Sequence, residues 1–159
     1  MEDGKVFYVT KDKLKELKRE HEKLVEFERV KTVGEEAPKV LESEDMNPEF
    51  VSYHEDMDSL RLRIEELGNI IKNHEIIKSP PKEKRVLVDL GAKVKIDAAG
   101  KNDEFTIVGT LEADPNLGKI SNESPVGKAL LGHKIGDEVL VSEPIKKKLK
   151  IKNIKYETN

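Results

Sequence analysis

The chain has 159 residues and a mass of 18.0 kDa, with 38% charged and only 4% aromatic residues, a mean hydropathy of -0.63 and a formal net charge of -3. Charged residues usually make up about 25% of a globular chain, so this composition argues against one thick core. It suits a long two-faced helical element beside a small compact domain. Cysteine is absent, which excludes disulfides and thiolate chemistry, and His21, His54, His74 and His133 are too scattered to suggest a metal site.

Thr10 is a candidate N-cap for a first helix, whose apolar stripe runs through Leu14, Leu17, Leu24 and Phe27. His21 falls on that stripe and reads as a partly buried seam residue. Val30, Val33, Ala37, Val40 and Leu41 would carry the stripe on. Gly34 and Pro38 interrupt it, and a bend or break is expected over 34–38. Phe50, Tyr53, Met57, Leu60, Ile64, Leu67 and Ile71 then follow a 3-4-3-4-3-4 spacing, the seam of a heptad. Asn47 caps this second helix and Pro48 takes its first turn, so it should run from about 48 to 75 and span about 40 Å. Two exposed stripes joined by a short connection predict an antiparallel coiled-coil hairpin.

Ser79-Pro80-Pro81 ends the helical pattern. The expected division is a hairpin over 1–78, a linker over 79–84 and a second domain over 85–159. Beyond the linker the hydrophobic period becomes 2. Val86–Val88, Ala92–Asp97, Glu104–Gly109, Asp137–Ser142 and Lys147–Tyr156 read as strands, with a hairpin turn over 98–103. Ser124, Pro125 and Gly132 bracket one short helix whose apolar face is Ala129-Leu130-Leu131. The fold class is therefore α+β: a helical hairpin followed by a small mixed domain.

Charge is uneven along the chain. Residues 1–80 hold 20 acidic and 14 basic side chains, whereas 81–159 hold 12 and 15. From Glu35 to Asp58 there are nine acidic side chains against Lys39 alone. Without further information such a run is a solvated helix face. Lys146-Lys147-Lys148 with Lys150 and Lys152 could touch nucleic-acid phosphates, but alternation with Leu149 and Ile151 reads first as a half-exposed strand. Gly127-Lys128 lacks the rest of a phosphate loop.

The segment Glu112-Ala113-Asp114-Pro115, then Lys119-Ile120-Ser121-Asn122-Glu123-Ser124-Pro125-Val126-Gly127-Lys128-Ala129-Leu130-Leu131-Gly132 and Gly136-Asp137-Glu138-Val139, resembles the C-terminal domain of Gre-type bacterial transcription elongation factors. Val9-Thr10-Lys11 and Arg63-Ile64-Glu65-Glu66-Leu67 resemble the ends of that family's coiled coil, so the resemblance covers nearly the whole chain. It implies an FKBP-like C-terminal domain that docks on RNA polymerase around Glu123, Ser124 and Pro125. It also implies a coiled-coil tip that enters the secondary channel. There, tip carboxylates help hold a catalytic Mg²⁺ shared with the polymerase, which cleaves its own backtracked transcript. The factor would have no cofactor or catalytic residue of its own and would meet the RNA 3' end only indirectly. A cytoplasmic monomer that binds DNA and has no membrane partner is expected.

The family's tip reads G-D-L-S/K-E-N-A-E-Y, and here the stretch is Ser43-Glu44-Asp45-Met46-Asn47-Pro48-Glu49-Phe50. No register keeps both functional acids. Glu44 and Asp45 are the best remaining Mg²⁺ ligands, with Glu42, Asn47 and Glu49 as tip neighbours. Two outcomes stay open: stimulation of cleavage, or occupation of the channel by a regulator that inhibits. Prolyl isomerase activity is rejected, because residues 80–159 offer only Phe105 and Tyr156 to wall an apolar pocket.

Overall fold

The computed structural model describes residues 4–33, 48–142 and 145–157. In chain order the elements are β1 (Phe7–Val9), α1 (Lys11–Val33), α2 (Pro48–Lys72), β2 (His74–Ile76), β3 (Ala92–Ala98), β4 (Lys101–Val108), β5 (Lys119–Ser121), α3 (Pro125–Leu130), β6 (Glu138–Val141) and β7 (Lys147–Tyr156). Single 3-10 turns occupy Lys82–Lys84, Thr110–Glu112 and Pro115–Leu117. Helices followed by a mixed sheet make the chain α+β, as its hydrophobic periods require.

The chain divides into two compact units, residues 12–73 and residues 1–11 with 74–159. The expected division was a hairpin over 1–78, a linker over 79–84 and a second domain over 85–159. β1 and β2 pair in parallel, Phe7 opposite His74 and Val9 opposite Ile76, and the Ile77 amide donates to the Val9 carbonyl at 2.9 Å. Three-residue strands are too short to show a period, so their pairing could not be read from hydrophobic spacing.

Within the helical unit the contacts run antiparallel. The Tyr53 hydroxyl donates to the Lys31 carbonyl at 3.1 Å, Arg61 donates to Glu28 at 2.8 Å, and Arg63 donates to Glu20 at 2.8 Å. Leu17, Met57, Leu67 and Ile70 are buried. On α1 the inward line is Leu14, Leu17, His21, Leu24, Glu28 and Lys31, which preserves 3-4 alternation. Phe27, Val30 and Val33 leave it and are 53%, 48% and 77% exposed. The expected stripe thus follows the seam to Leu24 and departs from it there, because the step after Leu24 must be four residues. The expected bend over 34–38 and the positions of Ala37, Val40 and Leu41 lie outside the described residues.

In the other unit the five-stranded sheet has the order β5-β4-β3-β7-β6, with β4 and β5 parallel and the remaining pairs antiparallel. Ala92, Val94 and Ile96 of β3 alternate into a core shared with Ile107, Leu130, Val139, Val141, Leu149, Ile151 and Ile154. β7 breaks strict alternation. Lys95 faces Asn153 but Ile96 faces Ile151, so Lys152 is a bulge. That extra residue lets Ile151 and Ile154, three apart, reach the same core.

Two expected boundaries change. Val86–Val88 is not a strand: only Leu87 forms a bridge, to Lys134, and Val86 is 59% exposed while Val88 is buried. The 98–103 turn contracts to Ala99-Gly100, both at positive φ (53° and 86°), because β4 begins already at Lys101. Gly100 takes this conformation freely, whereas Ala99 adopts it against its Cβ.

Candidate functional site

Two regions hold the residues singled out by sequence. At the distal end of the helical unit, Pro48 opens α2 as expected, and Glu49 stands exposed in its first turn. Glu42, Glu44, Asp45 and Asn47 lie outside the described residues. Glu55, Asp56 and Asp58 are exposed and extend the acidic surface along α2. Phe50 and Tyr53 are half-buried and place their rings 4.3 and 5.7 Å from the His54 ring, edge to face. Below them, the Glu28 carboxylate accepts from Arg61 and holds that guanidinium above its usual range. Tyr53, Glu28 and Arg61 were not among the expected site residues. The heptad had assigned Tyr53 only an apolar role, yet its hydroxyl ties the two helices together. Among the described residues no group of three or more His, Asp or Glu is placed to hold a metal ion.

The second region is the turn before α3. Ser124 is the N-cap of α3: its hydroxyl oxygen accepts from the Gly127 amide at 3.0 Å and its hydrogen goes to the Ser121 carbonyl at 2.7 Å. The Glu123 amide donates to Ser121 Oγ at 3.0 Å, and the Glu123 carboxylate accepts from the Thr110 hydroxyl at 2.8 Å. Pro125 occupies the first helical turn, where its missing N–H costs nothing. A Cβ on Gly127 would overlap the Ser121 carbonyl, so only glycine allows α3 to sit this close. The structure therefore brings Glu123, Ser124 and Pro125 together on one rigid turn, with Glu123 and Pro125 exposed. Thr110 and Ser121 complete the turn and were missed; the S-x-x-S-P-x-G spacing was the signal that could have revealed Ser121.

Glu112 and Asp114 of the acidic motif have structural duties. Glu112 accepts from both the amide and the hydroxyl of Thr10, each at 2.7 Å, just before α1 begins. Gly109 leaves no room for a Cβ against the Tyr8 carbonyl, which brings β1 onto the same turn. Asp114 accepts from the Asn116 amide at 3.0 Å and exchanges backbone bonds with Lys119, which sets the start of β5. Neither acid points to catalysis. Asp137 is equally local: its carboxylate, lowered first by the Lys134 amide it accepts, also sits 3.3 Å from His133 Nδ1.

Residues 83–156 match the family model described as "Transcription elongation factor, GreA/GreB, C-term". The chain is 36% identical over 138 residues to the transcription elongation factor GreA of Thermomicrobium roseum, covering 86% of this chain and 88% of that one. It is 40% identical over 149 residues to GreA of Bacillus licheniformis, covering 91% of this chain and 92% of that one. A solved GreA/GreB structure from Nitrosomonas europaea is similar at 21% identity, with 94% and 99% coverage and a TM-score of 0.43. Identity at this level along nearly the full length, with the Ser121–Gly127 turn built as its motif demands, settles the question of descent: the chain belongs to the GreA/GreB family of transcription elongation factors.

Proposed function

We propose that this chain acts on RNA polymerase, docking through the Glu123-Ser124-Pro125 turn and presenting the acidic end of its helical hairpin to the polymerase active centre. The observation that carries this reading is its near-full-length relatedness to proteins named as GreA elongation factors. In this reading Glu44 and Asp45 supply oxygen ligands to an Mg²⁺ held by the polymerase, with Glu42, Asn47 and Glu49 beside them. A metal so placed would polarise the scissile phosphate and favour the attacking water. Hard carboxylate oxygens are the donors Mg²⁺ prefers, and an added ligand raises the occupancy of a weakly held ion. The factor then promotes cleavage of backtracked RNA without being a nuclease itself. It acts in the cytoplasm as a monomer, meeting the RNA 3' end only through the polymerase. The alternative, a channel-binding inhibitor, rests on the incomplete acid pair alone, and the GreA relatives favour stimulation.

The test is a pair of variants in a transcript-cleavage assay on stalled elongation complexes. Glu44→Ala with Asp45→Ala should abolish stimulation at low Mg²⁺, leave polymerase binding intact, and recover partly at high Mg²⁺. Ser124→Ala with Pro125→Ala should instead raise the factor concentration needed for half-maximal effect. If the tip variant matched the wild-type chain at every Mg²⁺ concentration, the metal-ligand role would be refuted.

A further inference from the structure

Strand β1 carries apolar surface that the fold does not use. Val6, Phe7, Tyr8 and Val9 are consecutive, yet only Val9 is completely buried. Val6 is 40% exposed, and Phe7 and Tyr8 are half-buried. Strand pairing does not account for this. β1 meets β2 along one edge, and its Tyr8 carbonyl lies against Gly109. Neither contact buries Val6. Lys5 is exposed as well, and its ammonium stands 5.9 Å from the centroid of the Phe7 ring.

Folding sets this strand beside the turn before α3. Lys5 and Val6 line one notch with Thr110, Leu111 and Glu123. Its volume is about 20 Å³, room for one water molecule and not for a small-molecule ligand. It is a seam in a surface rather than a pocket. That surface is firm. The Thr110 hydroxyl donates to the Glu123 carboxylate at 2.8 Å, and Gly109 admits the Tyr8 backbone with no space for a Cβ.

We propose that β1 forms the second half of the polymerase-docking surface, with Val6 at its apolar centre and Lys5 and Glu123 as charges on its rim. This rests on the docking role given above to the Glu123-Ser124-Pro125 turn. Area carries the argument. A stable complex buries about 800 Å² on each partner, drawn from about 20–30 residues, and a three-residue turn falls far short of that. The adjoining surface must supply the rest, and beside Glu123 that surface is β1. Interfaces combine an apolar centre with a polar rim, and Val6 and Leu111 with Lys5 and Glu123 have that arrangement. The polymerase segment that fits presents an apolar side chain to Val6 and Leu111, a base to Glu123 and an acid to Lys5.

The experiment is surface plasmon resonance of the full-length chain over immobilised RNA polymerase, with melting temperatures of all variants measured first. Val6→Asp should raise Kd at least about tenfold, as truncation of a central interface residue does. Lys5→Glu should raise it at least about threefold, chiefly by slowing association. Lys5 is exposed, so Lys5→Glu decides the matter if Val6→Asp unfolds. Ser124→Ala with Pro125→Ala is measured alongside. Weaker binding by both the β1 variant and the turn variant supports the proposal. A folded Val6→Asp chain that binds like the wild type, while the turn variant binds weakly, overturns it and leaves the docking reading standing. Wild-type affinity in the turn variant overturns the docking reading and, with it, the claim that β1 extends it.

Discussion

At the scale of single residues, the sheet unit depends on a few polar bonds and close approaches that composition does not announce. The Tyr156 hydroxyl donates to the Leu87 carbonyl and accepts from the Asp89 amide, fastening the segment before β3 to the last strand. Burial is the first cause of its raised pKa. The protonated phenol is thus favoured by folding. Its contribution is complete below the usual value of 10 and is lost as pH rises through the higher folded value. Tyr156→Phe should cost about 1 kcal/mol at neutral pH, and the gap between variant and wild type should close in strongly alkaline denaturation curves. A gap that persisted there would refute the hydrogen-bonded assignment. Gly127 acts sterically. Gly127→Ala must push α3 away from the Ser121 carbonyl, and should cost about 1–3 kcal/mol in urea unfolding. A neutral substitution would show that the turn before α3 is not tightly packed.

At the scale of elements, the helical hairpin separates seam from surface more sharply than the sequence does. Leu67 is fully buried and Leu17 nearly so, whereas Phe27 is more than half exposed. Leu17→Ala or Leu67→Ala should each cost about 2–5 kcal/mol, while Phe27→Gln should change stability by about 0.5 kcal/mol or less. Thermal melts of the three variants decide the matter, and a large loss from Phe27→Gln would return that ring to the seam. Long elements were legible because they repeat: α2 shows its heptad over seven positions, β3 alternates, and β7 alternates up to its bulge. Short ones were not. β1, β2 and β5 have three residues each and owe their existence to partners distant in sequence. The Lys152 bulge was hidden because an inserted residue looks like a lapse in alternation. At the candidate sites the motif residues were legible as a pattern, but their duties were not. Glu112 looks like a functional acid until Thr10 is seen donating to it twice.

At the scale of the whole molecule, the division of the chain affects how it can be dissected. Residues 1–11 belong with 74–159, and Val9 is completely buried. A fragment beginning at residue 80 therefore loses β1, β2 and the Thr10 partner of Glu112. It should unfold at a lower temperature than the intact chain, by more than Thr10→Ala alone produces. Equal melting temperatures would mean that β1 and β2 contribute nothing to the sheet unit. The proposed function draws on both units: docking through the turn before α3, and metal ligation by carboxylates of the hairpin. The most direct measurement of this account is the rate of transcript cleavage by stalled elongation complexes with and without the wild-type chain, at limiting Mg²⁺. The account predicts faster cleavage that saturates with added factor and depends on Glu44 and Asp45. Unchanged or slower cleavage at saturating factor would contradict it.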